Sequence, residues 1–247
     1  MALKTILNYS PNFNPKKRAP KQIKFIIFHY TGMKNESDAI SELTEIQSEV
    51  SCHYLIKNNG EILRMVPDLY IAWHAGKSLW KNYKSLNQSS IGIEITNPGH
   101  EHGYKKFTQK QITSLLRLSK FLIKKYKINS KNILGHSDIA VLRKKDPGEK
   151  FPWEYLSKNK IGIWYTLNKQ DLIKNRKLKI TKIEENIFFR NLFKIGYLKE
   201  HPKDKDKNKY LRELTKTFQR RFRQELIDGK IDQECLIISK NLIKSHN

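Results

Sequence analysis

The stretch "KFIIFHY" at positions 24 to 30 constrains the fold more than any other part of the chain. It is a short, almost continuous apolar run, the pattern of a strand covered on both faces. Such a strand requires layers above and below it, so the chain must supply helices for two sides of a sheet. "FTQKQITSLLRLSKFLIKKYKI" is one such helix, amphipathic and opened by a capping box of Thr108 and Gln111. "SDAISELTEI" predicts another, with Ser37 or Asp38 as N-cap. "CHYLIKNNGEILRMV" predicts two short strands around an Asn-Asn-Gly turn. In "SSIGIEIT" (89 to 96), Ile91, Ile93 and Ile95 share one face, while Ser90, Gly92, Glu94 and Thr96 share the other. The expected fold class is α/β, a mixed central sheet flanked by helices, up to about residue 160.

Beyond "FPWEYL" the texture changes. Residues 161 to 186 are lysine-rich and irregular, which predicts a linker. Three helical patterns follow, "ENIFFRNLFKIGYL", "YLRELTKTFQRRFRQEL" and "DQECLIISKNLI", separated by "KEHPKDKDKNK" and "IDGKI". The expected organisation is an N-terminal extension (1–20), a catalytic domain (21–160), that linker (161–186) and a small C-terminal three-helix domain (187–247).

The 247 residues carry 48 basic and 24 acidic side chains, a formal charge of +24. This excess suits an anionic partner, or a surface decorated with lysine for solubility. No aromatic-basic interleaving or reading helix accompanies it, so a nucleic-acid partner is not expected. No apolar run approaches the roughly 18 residues of a membrane span. Only two cysteines occur, Cys52 and Cys235, far apart, which is no disulfide framework. Cys52 lies in a predicted strand without a histidine relay, which argues against a cysteine nucleophile.

The segment "GHSDIAVLRKKDPGEKFPW" (135 to 153) has no helical period and many turn formers, so it is expected to be a loop. His136 and Asp146 flank it, and Asp146-Pro147-Gly148 turns the chain. His29 ends the first strand on the face of Phe25 and Ile27. Two imidazoles and a carboxylate make a donor set that suits zinc and leaves a fourth position for water. Glu94 projects from a strand whose other face is isoleucine, beside the vacant space at Gly92, and suits a general base. Each of these also has a plain structural reading: a strand-end histidine as a satisfied polar group, Glu94 as a lysine's partner.

Together "FHYTG", "VSCHYLI", "WHAG", "SIGIEITNPG" and the 135–153 segment resemble the zinc amidases that cleave N-acetylmuramoyl-L-alanine bonds in the bacterial cell wall, a fold shared with peptidoglycan recognition proteins. The match spans about residues 20 to 160 and is most similar to the AmiD-like group. The resemblance implies Zn²⁺ ligands at His29, His136 and Asp146, and catalytic roles for Glu94 and Lys144. Lys145 is the competing cation, since adjacent residues on an extended loop point apart. The resemblance also implies substrate contact at His74. Trp73 and Trp153 either line a sugar-peptide groove or pack.

His53 is expected to be a core histidine, and the His100/His102 pair to be solvated. Some relatives carry tyrosine where Cys52 stands, which shifts acid-base work onto Glu94. The C-terminal helices resemble a three-helix peptidoglycan-binding module through "FKIGYL", "TKTFQRRFR" and "IDGKIDQE". Cys235 departs from that pattern, as does the lysine-rich insert, so these helices either bind glycan or pack on the catalytic part.

The function expected is a monomeric amidase acting on peptidoglycan or anhydro-muropeptides. The alternative is a binding protein that does not cut, a class that tends to lose a zinc ligand. The visible N-terminus shows no signal peptide and predicts a cytoplasmic protein, or a periplasmic or wall-associated one if an export signal has been removed.

Overall fold

A computed structural model describes residues 3–198 and 207–246. Its strands, in chain order, begin with β1 (Ile6–Leu7), β2 (Phe13–Asn14), β3 (Phe25–Tyr30), β4 (Tyr54–Ile56) and β5 (Ile62–Arg64). They continue with β6 (Ile71–Ala72), β7 (Leu79–Trp80), β8 (Tyr83–Lys84), β9 (Ser90–Ile95) and β10 (Ile133–Gly135). The helices of the first part are α1 (Glu36–Thr44), α2 (Gln109–Tyr126), α3 (His136–Ile139) and α4 (Trp153–Lys158). Those of the second are α5 (Lys169–Lys174), α6 (Lys182–Ile195), α7 (Lys207–Phe222) and α8 (Gln233–His246).

The main sheet has the order β1-β5-β4-β9-β3-β10. Only β4 and β5 pair antiparallel, through the Asn-Asn-Gly hairpin; the other neighbours run parallel. This is the expected mixed sheet flanked by helices. The apolar run of β3 is buried on both faces because its residues alternate between two cores. Ile26 and Phe28, with Ile91, Ile93 and Ile95 of β9, meet Leu115, Leu118 and Leu122 of α2. The capping box of α2 forms as expected, with Thr108 Oγ1 accepting from the Gln111 amide at 3.1 Å.

Phe25, Ile27 and Leu134, on the opposite face, pack in one cluster with Phe188, Leu192, Phe218 and Phe222 of α6 and α7. The C-terminal helices therefore share a core with the sheet. Arg221 of α7 seals the junction. It pairs with Asp138 of α3, donates to the Ile133 carbonyl at 3.0 Å and stacks 4.2 Å over Trp153. The Tyr197 hydroxyl donates to the other Asp138 oxygen at 2.6 Å.

Four local expectations differ from the structure. Residues 161 to 186 are not an irregular linker: α5 forms within them, and Ile161, Ile163 and Leu172 are buried. Their apolar side chains are too widely spaced to show a period, yet Ile163 and Leu172 find the shared core and Ile161 the core under α2. α1 starts at Glu36 with Asn35 as N-cap, one turn position ahead of Ser37 and Asp38. The 135–153 segment is not all loop, because α3 follows β10 directly and α4 begins at Trp153. The segment before residue 20 is built into the sheets: β1 pairs with β5, β2 pairs with β6, and buried Arg18 donates to the Asp68 and Asn87 carbonyls. Most of "KEHPKDKDKNK" lies outside the described residues.

Because one sheet face is covered by α6 and α7, a chain cut after residue 160 is expected to aggregate on expression. Phe218→Ala in the full chain is expected to cost ~3–5 kcal/mol in denaturant melts. Recovery of a soluble, cooperatively melting 1–160 fragment contradicts the shared core.

Candidate metal centre and active site

The parallel register builds the site. His29 pairs across β3 and β9 with Glu94, and Gly135 of β10 stands opposite Phe28. His136, the next residue, therefore comes level with His29. Three chemically active side chains meet at the carboxyl ends of adjacent parallel strands, where open sheets place their ligands. Asp146 enters from the loop after α3.

His29 Nδ1, His136 Nδ1 and Asp146 Oδ2 form a nearly equilateral triangle. The two nitrogens are 2.9 Å apart, and each lies 3.1 Å from the carboxylate oxygen. All three residues are buried. Ligands about 2.0–2.1 Å from a tetrahedral ion are separated by roughly 3.3 Å, so the triangle has the size of one face of such a site. Among the described residues this is the only group of His, Cys, Asp and Glu that converges in this way.

The charge state suits a cation. Burial, then neighbouring His136, pulls the His29 imidazole down to about 4, leaving a neutral ring with a free lone pair. Burial pushes the Asp146 carboxyl up, but His136 and His29 outweigh it and hold the group well below the usual carboxylate range. His136 Nε2 lies 3.2 Å from the Ala75 carbonyl, and His29 Nε2 lies 3.0 Å from His74 Nδ1. Each ring thus has its far nitrogen engaged and Nδ1 turned to the centre, the arrangement by which hydrogen-bond partners usually orient metal-binding histidines. The donor set fits a divalent metal.

Glu94 borders a cleft of about 420 Å³ that His136 and Asp146 also line, while His29 is buried and does not reach its surface. Glu94 Oε1 is 3.9 Å from His29 Nδ1, and its buried Oε2 has no hydrogen-bond partner among the described residues. Burial, then the nearby Asp146 charge, pushes its carboxyl up to about 8. The lysine partner of the plain structural reading is not formed. The vacant space expected beside Glu94 is filled: a Cβ on Gly92 would stand 2.4 Å from the His74 ring. His74 is accordingly buried against His29 while its edge still reaches the cleft.

Lys144 and Lys145 both line the cleft, and the expectation is that only one of them can face the metal. They differ in depth: Lys144 is half-buried and its charge acts on both His29 and Glu94, whereas Lys145 is exposed. Trp73 also lines the cleft, while Trp153 is buried beneath Arg221 and packs. His53 is a core histidine as expected, one residue before β4, with Nδ1 accepting from the Gly92 amide at 3.0 Å.

The expectation for His100 is corrected. It is half-buried on the rim, 2.9 Å from the Tyr30 hydroxyl, 3.0 Å from Glu149 and stacked on Tyr104; His102 is exposed and turned elsewhere. Partners distant in sequence hold His100, so its neighbours in the chain gave no sign of them. Burial pushes the Cys52 thiol up, and its Sγ lies 3.6 Å from the Met65 sulfur, an inert packing position. Sequence reading missed Ser90 and Arg143 at this site. Ser90 carried a usable signal, since it shares the inward face of β9 with Gly92 and Glu94.

The raised Glu94 value has a measurable consequence in the metal-free protein. Its folded pKa lies above the unfolded one, so the folded state holds an extra proton between about pH 4 and pH 8 and loses stability as pH rises through that window. Glu94→Gln is expected to be more stable than the parent above about pH 8, with the gap closing towards about pH 4. Denaturant melts at both ends of the window check this; a gap independent of pH contradicts it.

Comparison with known proteins agrees with the geometry. Residues 19–149 match the model of a family described as N-acetylmuramoyl-L-alanine amidase. The chain is 32% identical to N-acetylmuramoyl-L-alanine amidase AmiD of Escherichia coli, covering 91% of this chain and 84% of that protein. A solved AmiD complex with anhydro-N-acetylmuramic acid-L-Ala-D-gamma-Glu-L-Lys superposes with a TM-score of 0.78, over 91% of this chain and 90% of that one. AmpDH3 of Pseudomonas aeruginosa, solved with anhydromuramic pentapeptide, has the same TM-score at 30% identity, over 94% of each chain. The 1,6-anhydro-N-acetylmuramyl-L-alanine amidase AmpD of Haemophilus influenzae is 34% identical over 60% of this chain and 88% of its own length. With over half of its residues inside the family match and a full-length relative of the same fold, the chain belongs to the N-acetylmuramoyl-L-alanine amidase family.

Proposed function

We propose that the chain is a zinc amidase that hydrolyses the amide bond between N-acetylmuramic acid, or its 1,6-anhydro form, and L-alanine. The observation that carries this reading is the triangle of His29 Nδ1, His136 Nδ1 and Asp146 Oδ2, with edges of 2.9 to 3.1 Å, beside an open cleft that His136 and Asp146 line. Two nitrogens and one oxygen suit zinc, which when bound supplies Lewis acidity and lowers a water's pKa from 15.7 towards about 7.

The protein's own groups supply the rest. Glu94, with no hydrogen-bond partner at Oε2, takes a proton from the attacking water as its oxygen bonds to the amide carbon. It returns that proton to the departing nitrogen as the C–N bond breaks. The products are a carboxyl group on the muramic acid side and the free amine of L-alanine. Burial pushes this carboxyl up to about 8 in the metal-free protein, and a bound cation would favour the charged form that takes the proton. Lys144, whose charge acts on the site, holds the negative charge that develops on the carbonyl oxygen, a contribution of a few kcal/mol in comparable sites. Trp73 and the cleft-facing edge of His74 contact the substrate.

We assign residues 21–160 as the catalytic unit and α6 to α8 as a helical unit whose first task is to cover the sheet. Both AmiD and AmpDH3, each solved with an anhydromuramic ligand, match the chain through these helices as well as the catalytic part. No helix among the described residues is long and apolar enough to cross a membrane. Small anhydro-muropeptides and intact sacculus are the two candidate substrates, and turnover of one over the other assigns the working compartment.

Purified protein is expected to release free stem peptide from anhydro-muropeptides, detected by mass spectrometry, and chelation is expected to abolish this. Glu94→Gln is expected to lower turnover by at least about 10²-fold while zinc stays bound. His29→Ala is expected to lose the metal itself. Parent-rate hydrolysis by the Glu94 variant, or by chelated protein, overturns the mechanism.

A further inference from the structure

Behind the three donor atoms runs a chain of hydrogen bonds whose proton positions are fixed by elimination. The Ser90 hydroxyl donates to the Leu86 carbonyl at 2.6 Å. A carbonyl only accepts, so the single Ser90 proton is committed and Oγ presents a lone pair. His74 Nε2 lies 3.1 Å from that oxygen and must carry the ring proton. In a neutral imidazole the other nitrogen then accepts. His74 Nδ1 is 3.0 Å from His29 Nε2, which therefore bears the proton of its own ring. His29 Nδ1 is left with a lone pair directed at His136 Nδ1 and Asp146 Oδ2.

The adjacent residue does the same for the second imidazole. The Ala75 carbonyl stands 3.2 Å from His136 Nε2 and can only accept from it. Arg143 Nη2 is also near His136 Nε2, but its two protons are directed to the Ala75 and Lys77 carbonyls at 2.9 and 3.1 Å. The proton between His136 and Ala75 thus belongs to His136 Nε2, and His136 Nδ1 is free. The backbone amides of His74 and Ala75 are both pinned by Asn87 Oδ1, at 3.1 and 2.7 Å.

We propose that the His74–Ala75 segment, anchored by Ser90 and Asn87, is a positioning device that selects the Nε2–H tautomer of both His29 and His136 and so turns two lone pairs towards one divalent metal. It rests on the metal reading given above. The inward face of β9 is cut to fit it. Ser90 anchors the His74 ring, Gly92 leaves room for it, and Glu94 lies beyond it; the His74 and His29 rings meet edge-on, with centroids 5.1 Å apart. His74 is thereby a positioning residue as well as a wall of the cleft.

Long-range proton–nitrogen NMR of the imidazoles in the metal-free full chain tests the idea without any catalytic readout. The expected spectrum places the ring proton on Nε2 in both His29 and His136. Zinc affinity, measured by competition with a chelator, is expected to fall about tenfold or more in Ser90→Ala and His74→Leu. His74→Asn, whose amide oxygen can take the place of Nδ1, is expected to recover most of that loss, which a purely space-filling role would not produce. A proton on Nδ1 of His29 in the parent overturns the proposal, as does parent-like zinc affinity in His74→Leu. If the Ser90 or His74 variants fail to fold, the parent spectrum decides alone. A parent with both protons on Nε2 that does not bind zinc supports the tautomer assignment and overturns the metal reading instead.

Discussion

The in-register parallel pairing of β3 with β9 and with β10 is the constraint on which the rest depends. It brings His29, Glu94 and the start of α3 to one edge of the sheet, on one face, without any long-range side-chain contact having to arrange them. A one-residue slip would turn Glu94 into the isoleucine core and Ile93 towards the donors. The two apolar cores prevent that slip, since Ile91, Ile93 and Ile95 of β9 would have to leave the layer under α2. Packing on one side of the sheet thus fixes chemistry on the other.

Burial then gives the site its electrical character. Three groups that would each be hydrated in the unfolded chain are held within about hydrogen-bonding distance of one another in a dry floor. The His29 imidazole loses its proton there, the carboxyl of Asp146 is held charged by His136 and His29, and burial beside the Asp146 charge makes Glu94 hold its proton more tightly. Two carboxyl groups a few ångströms apart are pushed in opposite directions by their surroundings. In the proposed mechanism that divergence separates the ligand Asp146 from the proton carrier Glu94.

Much of this was legible in the chain before any coordinates. The apolar run of β3 announced a covered strand, the alternation of β9 placed Glu94 opposite the isoleucines, and the Thr108–Gln111 pair marked the start of α2. Five ordered motifs pointed to the three donors, which the fold brings together. What escaped was non-local. The packing of Ile163 and Leu172 depends on helices far along the chain, His100 is held by Tyr30 and Glu149, and the void beside Gly92 is filled by a ring from a different loop. α3 was hidden because a four-residue helix has no room to express a period. The depth of the two cleft lysines was not legible either, because the segment before them is a turn.

The core that α6 and α7 share with the strands bears on how such chains diversify. A tethered wall anchor can be moved between enzymes because it carries its own interior. Here Phe188, Leu192 and Phe218 have the interior of another unit as theirs, and Arg221 ends on Asp138, two places from His136 of the candidate metal centre. Neither half is a transplantable cassette; a graft of the helices onto another hydrolase would need the strand face they grew against.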